Sequence, residues 1–328
     1  MSLLNILLIV KLFHTISRSS DSKVNARNLF NYGRIYNHQW VPLHLKQSKD
    51  MGLIDEIGDW ARHKTILLIG DSVDRRTTQW LCSYKNWTLS AGSFPSDHGW
   101  KDCGNYNGCP NVCTSVEFNF TIVNAFIVGL NPDSSLRPRT GHHFPADQTM
   151  DPKRRIMEVY LPFLRDILKR TPDMVVFNSG LWDLMDWTRQ FVVKDVNAKD
   201  FDVVTDERLL GYVHQLDDFA SYLAELFPNS QLLWRDLPSS PEGRDQAWGL
   251  MDIPKYVPNG EAKMFRNTYL DSLNIAADEL LERKHSEIIR LPWNKATRGE
   301  MHWVDDIHPE GSVYKVCINM WLYFLKLI

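Results

Sequence analysis

The chain has 328 residues, of which 44% are hydrophobic, 12% aromatic and 23% charged. This length and apolar content are enough to bury a core in one large domain or two small ones. The net charge of −3 gives no electrostatic reason to expect a nucleic-acid partner or an anionic membrane surface.

The N-terminal residues contain a short apolar run, residues 3–10, followed by Lys11. A membrane-spanning helix needs about 20 apolar residues, so this run is too short to be a typical span. It also lacks the basic start and small-residue cleavage site of a typical secretory signal. A signal, an N-terminal membrane anchor, a buried helix and a truncated or mistranslated start all stay open. Residues 1–59 are interpreted as an N-terminal segment whose polar part forms a covering arm.

Strands and helices alternate from Lys64 onward. Short apolar or β-branched runs predict strands at 65–69, 87–90, 174–177, 231–234 and 288–291, and the alternating stretch 116–128 is predicted to be a strand or a hairpin. Helical spacing predicts helices at 74–84, 154–170, 209–226, 265–284 and 313–328, and residues 93–115 are predicted to be a loop.

This alternation predicts an α/β fold, a three-layer sandwich with a central, mainly parallel sheet flanked by helices. In such sheets a ligand lies outside the carboxyl ends of the strands. The prediction places Ser72, Gly92, the segment 178–180 and the loop after Leu291 on one edge of the sheet.

The cysteines indicate an oxidising compartment. Cys103, Cys109 and Cys113 lie in a Gly- and Asn-rich loop with Cys82 upstream, and clustered loop cysteines are typical of disulfides. Their spacing, without a histidine inside the cluster, disfavours a zinc site. An odd number of cysteines leaves at least one unpaired, and Cys317 in the apolar C-terminal segment is the natural candidate.

Two glycosylation sequons, at Asn86 and Asn119, point to the same compartment. Together with the cysteines they predict a location in the secretory pathway, in the Golgi lumen or outside the cell.

Ser72 follows a predicted buried strand and opens a helix, in the sequence Gly70-Asp71-Ser72. The glycine permits a tight turn, and the helix N-terminus stabilises negative charge that develops nearby. Such a serine is a candidate nucleophile, although Asp71 or Ser72 could equally serve only to cap the helix.

Asp305 and His308 lie three positions apart, just before the last predicted helix. On one helical turn they share a face, so that the carboxylate can orient the imidazole while the other ring nitrogen takes the serine proton. Because this loop follows the last predicted strand, the pair is expected on the same edge as Ser72.

Three segments together carry a resemblance to a known family: GDSVDR (70–75), PDMVVFNSGLW (172–182) and DDIHP (305–309). They resemble the SGNH (GDSL-like) hydrolase superfamily, and within it the PC-esterase branch, which includes the trichome-birefringence-like polysaccharide O-acetyltransferases. The resemblance spans residues 60–328 and implies an SGNH-hydrolase-like catalytic domain over that range.

The resemblance implies a catalytic triad of Ser72 as nucleophile, His308 as general base and Asp305 as its orienter. It implies oxyanion donors at the backbone N–H groups of Ser72 and Gly92. Asn178 is either a further side-chain donor or a residue that braces its loop.

Arg75 and Trp182 are the candidate substrate-binding residues, for a carboxylate or carbonyl and for a sugar ring respectively. The predicted function is serine-dependent acyl transfer on an O-acylated carbohydrate or glycoconjugate, by an O-acetyl esterase or an O-acetyltransferase. The alternative is a catalytically silent carbohydrate-binding or scaffold protein. No metal or organic cofactor is implied, and the oligomeric state is left open.

Overall fold

Strand β3, Thr65–Gly70, lies at the centre of the main sheet and all six of its residues are buried. A continuous apolar strand of this kind must be covered on both faces. The structure is a computed structural model, and it describes residues 33–36, 39–42, 53–96, 99–102, 110–134, 151–194, 203–240, 265–298, 303–304 and 307–328.

The other described strands are β1 Gly33–Tyr36, β2 Gln39–Pro42, β4 Thr88–Ala91, β5 Ser93–Ser96, β6 Gly99–Asp102, β7 Asn111–Ser115, β8 Phe120–Phe126, β9 Met174–Phe177, β10 Gln231–Arg235 and β11 Ile289–Leu291. Within the described residues the main sheet has the strand order β11-β10-β9-β3-β8-β7-β4. The five strands from β11 to β8 are parallel, whereas β7 and β4 continue the sheet in antiparallel pairing.

The described α-helices are α1 Ser72–Tyr84, α2 Pro152–Arg155, α3 Leu181–Lys194, α4 Asp206–Leu226, α5 Asn267–Lys284, α6 Trp293–Thr297 and α7 Gly311–Leu327. Wider π-helical turns at Ile156–Tyr160 and Phe163–Leu168 continue α2. The parallel sheet between helices confirms the predicted α/β sandwich.

Several local predictions were wrong. The predicted loop 93–115 contains the hairpin β5–β6 and strand β7. The N-terminal segment 1–59 contains the hairpin β1–β2, which contacts α6 and α7. Helices α3 and α6 were not predicted. In α3 the charged residues Asp183 and Asp186 are buried together with Leu184.

The core also includes Ile54 and Ile57, N-terminal to the predicted start of the catalytic domain at residue 60. The Ile54 N–H donates to Asn319 Oδ1 of α7 at 2.9 Å. The division into 1–59 and 60–328 stays a prediction. The apolar run 3–10 lies outside the described residues. Among the helices described, none has the length and apolar character that crossing a membrane requires.

A disulfide joins Cys82 of α1 to Cys113 of β7 across 31 positions in sequence. Cys317 is buried and forms no disulfide among the described residues, which agrees with its prediction as the unpaired cysteine. Cys103 and Cys109 lie outside the described residues. The helix that begins at Ser72 is thus covalently attached to the antiparallel part of the sheet.

Removing this bond by Cys82→Ala with Cys113→Ala is expected to lower the free energy of unfolding by about 2–4 kcal/mol, because a loop of this length gains entropy in the unfolded chain. Urea unfolding with and without dithiothreitol measures the loss. Cys317→Ala is the control, since it leaves the bond intact and should preserve the effect of the reductant. A wild-type midpoint that does not respond to dithiothreitol would contradict the assignment.

Candidate active site

Ser72 lies at the first position of α1, directly after the turn that ends β3. Asp71 caps the helix: its Oδ1 accepts the Val73 N–H at 2.8 Å, and Asp74 Oδ2 accepts the Asp71 N–H at 3.2 Å. This reciprocal capping box satisfies the helix start without the serine hydroxyl. The capping alternative therefore applies to Asp71, and the Ser72 hydroxyl is available for another partner.

That partner is His308, whose Nε2 lies 2.8 Å from Ser72 Oγ. The loop that carries His308 is closed on itself, because the Val304 N–H donates to the His308 carbonyl at 2.8 Å and Trp303 forms a β-bridge with Pro309. His308 is buried, whereas Ser72 is partly exposed. A hydroxyl that reaches solvent beside a buried imidazole is the geometry of a nucleophile with its base.

Asp305, the predicted orienter of His308, lies outside the described residues. Its role in holding the second ring nitrogen stays a prediction.

The assignment of Gly92 as an oxyanion donor was wrong. Gly92 follows β4, which is three strands away from β3, so strand spacing alone puts it roughly 14 Å from the Ser72 strand. Its N–H donates to the Pro110 carbonyl at 2.7 Å. The second strand along the chain is not the spatial neighbour of β3, because β7 and β4 extend the sheet beyond β8.

Asn178 is not an oxyanion donor in this structure either. Its Nδ2 donates to Asp74 Oδ2, and its backbone N–H donates to the Ile69 carbonyl at 3.0 Å. Both bonds hold the end of β9 against the end of β3. The bracing role that the sequence left open is the one observed.

The strand that flanks β3 on the other side is β8, and the loop that follows it reaches the same edge of the sheet. Gly129 in this loop has a φ of +76°. Buried Asp183 accepts the Leu130 N–H at 2.9 Å and the Ser179 hydroxyl at 2.6 Å. This loop was not predicted as part of the site, although a glycine shortly after an apolar strand was a visible signal.

Arg75 and Trp182, the predicted substrate-binding residues, meet at one aromatic ring. The Arg75 guanidinium carbon lies 5.7 Å from the centre of the Phe126 ring, and Trp182 packs edge-on to the same ring at 5.8 Å. Phe126 ends β8 opposite Gly70, so all three side chains lie near the Ser72 turn. Burial and the neighbouring Arg76 charge lower the pKa of Arg75 from its usual value.

A buried charged group that was not predicted lies beneath this turn. Arg235, at the end of β10, is fully buried and contacts Asp74 through Nε at 2.9 Å and Nη2 at 2.8 Å. Burial raises the pKa of Asp71 to about 6; the positive charge of Arg235 lowers this pKa and the negative charge of Asp74 raises it further. The position of Arg235 at the end of an apolar run was visible in the sequence, but its burial was not.

Known proteins resemble this chain only at low similarity. No protein-family model matches the chain, and no curated protein matches it. Among solved structures, an acetylxylan esterase from Geobacillus stearothermophilus is 14% identical over 82% of this chain and 96% of its own, with a TM-score of 0.38.

Two further structures have similar scores. An α/β hydrolase enzyme from the metagenome of Lake Arreo is 15% identical over 82% of this chain and 98% of its own, with a TM-score of 0.37. A carbohydrate esterase family 2 enzyme from Corynascus thermopiles, solved with its carbohydrate-binding domain, is 13% identical over 87% and 68%, with a TM-score of 0.36. Similarities at this level do not decide the function, which rests on the geometry of Ser72 and His308.

Gly129→Ala is expected to destabilise the protein by about 1–3 kcal/mol, because alanine disfavours positive φ. Its Cβ would also lie 2.8 Å from Asp183 Oδ1. Urea unfolding measures the loss. Gly211→Ala in α4 is the matched control: a Cβ there meets nothing within 4 Å, so a gain of about 0.5–1 kcal/mol is expected. Equal stability of Gly129→Ala and wild type would contradict the strain expected for an alanine at this position.

Proposed function

We propose that the protein is a serine-dependent acyl-transfer enzyme, acting on an O-acylated carbohydrate or glycoconjugate. The observation that carries the proposal is the 2.8 Å contact between Ser72 Oγ and His308 Nε2. These residues are far apart in the sequence but meet at the carboxyl edge of a parallel sheet, where such folds bind their ligands.

In the first half of the reaction, His308 Nε2 takes the proton from Ser72 Oγ, and Oγ attacks the carbonyl carbon of the ester. The bond between that carbon and the alcohol oxygen then breaks. His308 returns its proton to the departing alcohol, and the acyl group stays on Ser72.

In the second half, an acceptor hydroxyl gives its proton to His308 and attacks the acyl-serine. The bond between the acyl carbon and Ser72 Oγ then breaks, the proton returns to Oγ, and the acyl group leaves on the acceptor, as an ester of an alcohol or as the acid when the acceptor is water. Water as acceptor makes an esterase, and a sugar hydroxyl makes a transferase. Both routes use the same proton path, so the two activities differ only in what occupies the acceptor position.

Negative charge on the carbonyl oxygen needs N–H donors. The Ser72 N–H is suited to this role, because the first N–H groups of a helix have no acceptor within the helix and the helix dipole favours an anion there. With Gly92 and Asn178 engaged elsewhere, the proposed second donor is an amide of the loop around Gly129, beside β3.

The proposed substrate site lies around Phe126. Trp182 is only partly buried and offers an indole for sugar stacking, and Arg75 offers a cation for a carbonyl or carboxylate. Their position near Ser72 supports a carbohydrate ester, which the motif resemblance also implies.

Ser72→Ala and His308→Ala should each reduce kcat for p-nitrophenyl acetate and acetylated oligosaccharides by roughly 10³-fold or more. The double variant should lose no more than either single one, since the two residues act as a unit. Ser83→Ala is the control, because this exposed serine lies on the same helix away from its start. Steady-state rates and covalent labelling by a fluorophosphonate measure both effects.

Equal turnover by wild type and Ser72→Ala would refute the serine mechanism, and no turnover or labelling of wild type would favour the silent carbohydrate-binding alternative. Adding an unacetylated oligosaccharide to the wild-type reaction distinguishes an esterase from a transferase. New acetylated oligosaccharide indicates a transferase, and acetate alone indicates an esterase.

We further propose that the protein resides in the secretory pathway. The Cys82–Cys113 disulfide and the exposed side chains of Asn86 and Asn119 support this location. In protein made by a eukaryotic host, glycosidase treatment should lower the mass, and Asn86→Gln should remove one glycan. Absence of glycan from both asparagines would argue against the proposal. N-terminal membrane anchoring stays a prediction.

A further inference from the structure

The geometry around Asp74 assigns a role to Arg235: we propose that it is a positioning residue that sets the nucleophile turn against His308. The inference rests on the proposed acyl-transfer function and deepens it. The polar contacts of Arg235 go to Asp74, to the Asp236 carbonyl and, at 3.8 Å, to Asp71, so it acts on Ser72 through the residues that it holds.

The contact between Arg235 and Asp74 is bidentate. Nε donates to Oδ1 at 2.9 Å and Nη2 donates to Oδ2 at 2.8 Å, with both side chains buried. The remaining terminal nitrogen, Nη1, donates to the Asp236 carbonyl at 2.9 Å. The guanidinium carbon lies 4.7 Å from the centre of the Trp293 ring. The planar group is therefore fixed from its edges and from one face.

Asp74, held in place by Arg235, also forms hydrogen bonds to the ends of two neighbouring strands. Its Oδ2 accepts the Asp71 N–H, which belongs to the turn after β3, and the Asn178 amide, which follows β9. Arg235 itself ends β10. Three adjacent strand ends thus meet at one carboxylate, and the turn that carries Ser72 cannot shift without breaking contacts to the other two.

Gly70 shows how closely these groups approach. A Cβ at this position would overlap the Asp74 carboxylate and the Asn178 amide. The turn therefore passes directly over the charged pair, with the serine one residue beyond the helix cap.

A lysine cannot replace this arginine without changing the geometry. A guanidinium supplies two parallel N–H bonds to one carboxylate and a third in another direction, whereas an ammonium group is a point charge on a flexible stem. Arg235→Lys keeps the positive charge that balances Asp74 but loses the two parallel hydrogen bonds to its carboxylate. A displacement of about 1 Å at a reacting atom can cost roughly 10²-fold in rate.

The test compares Arg235→Lys with wild type in three measurements: the fluorophosphonate labelling rate, kcat and KM for p-nitrophenyl acetate, and the fraction of molecules that titrate as active. We expect labelling and kcat to fall about 10²-fold per active molecule, with KM within about 2-fold. A merely structural role would lower the active fraction and leave the rate per active molecule unchanged.

Arg290→Lys is the matched control. This arginine, on β11, is partly exposed and contacts Asp278 and Glu282 at 3.5 and 3.3 Å. It should label at the wild-type rate. The double variant Arg235→Lys with Asp74→Asn should be no slower than the slower single variant, because both substitutions break the same contact.

Asn178→Ala provides a second variant if Arg235→Lys does not fold. It removes the link between Asp74 and the end of β9 and should slow labelling about 10-fold. If a variant that folds is labelled at the wild-type rate per active molecule, the positioning role is overturned and the serine mechanism is left intact. Failure of wild type itself to label or to cleave any ester would instead overturn the proposed function.

Discussion

The ion pair between Asp74 and Arg235 is the interaction on which the carboxyl edge of the sheet depends. Neither side chain reaches solvent. A buried carboxylate without its partner would cost about 3–5 kcal/mol, so any arrangement that separates them is strongly disfavoured. Because Asp74 also accepts bonds from the turns after β3 and β9, the requirement to keep one charge neutralised fixes three strand ends relative to each other.

This constraint explains the division of roles among the first residues of α1. Asp71 satisfies the helix start, Asp74 bonds back to Asp71 and to Arg235, and Ser72 between them makes neither bond. Asp71 and Asp74 thus form hydrogen bonds that stabilise the turn, whereas the Ser72 hydroxyl does not take part in them. That hydroxyl contacts a histidine held by a separate closed loop, so the proposed nucleophile and its proposed base are each positioned by their own local hydrogen bonds.

The sequence predicted those parts of the fold and the site that depend on local patterns. Apolar runs located β3, β9 and β10, and the Gly70-Asp71-Ser72 turn together with His308 located the contact at the carboxyl edge. Gly92 was misassigned because order along the chain does not reveal order in a sheet: an antiparallel extension, β7 and β4, precedes β8 in sequence but lies beyond it in space.

Arg235 and Asp183 were missed for a related reason. A charged residue in a helix or at the end of a strand has no sequence pattern that reports burial, since its burial depends on a partner far along the chain. Arg235 and Asp74 are separated by 161 positions, and Asp183 and Leu130 by 53. Only the packed structure shows that these side chains neutralise or satisfy each other.

The distance between Ser72 and His308 along the chain, 236 positions, has a consequence for biosynthesis. The strand and turn that present the hydroxyl are made early by the ribosome, whereas the loop that supplies the imidazole is made shortly before α7. Closing so long a segment is entropically unfavourable until most of the sheet has formed. In a nascent chain Ser72 would therefore lack the contact to His308, and with it the proposed base, until the C-terminal part of the chain has folded.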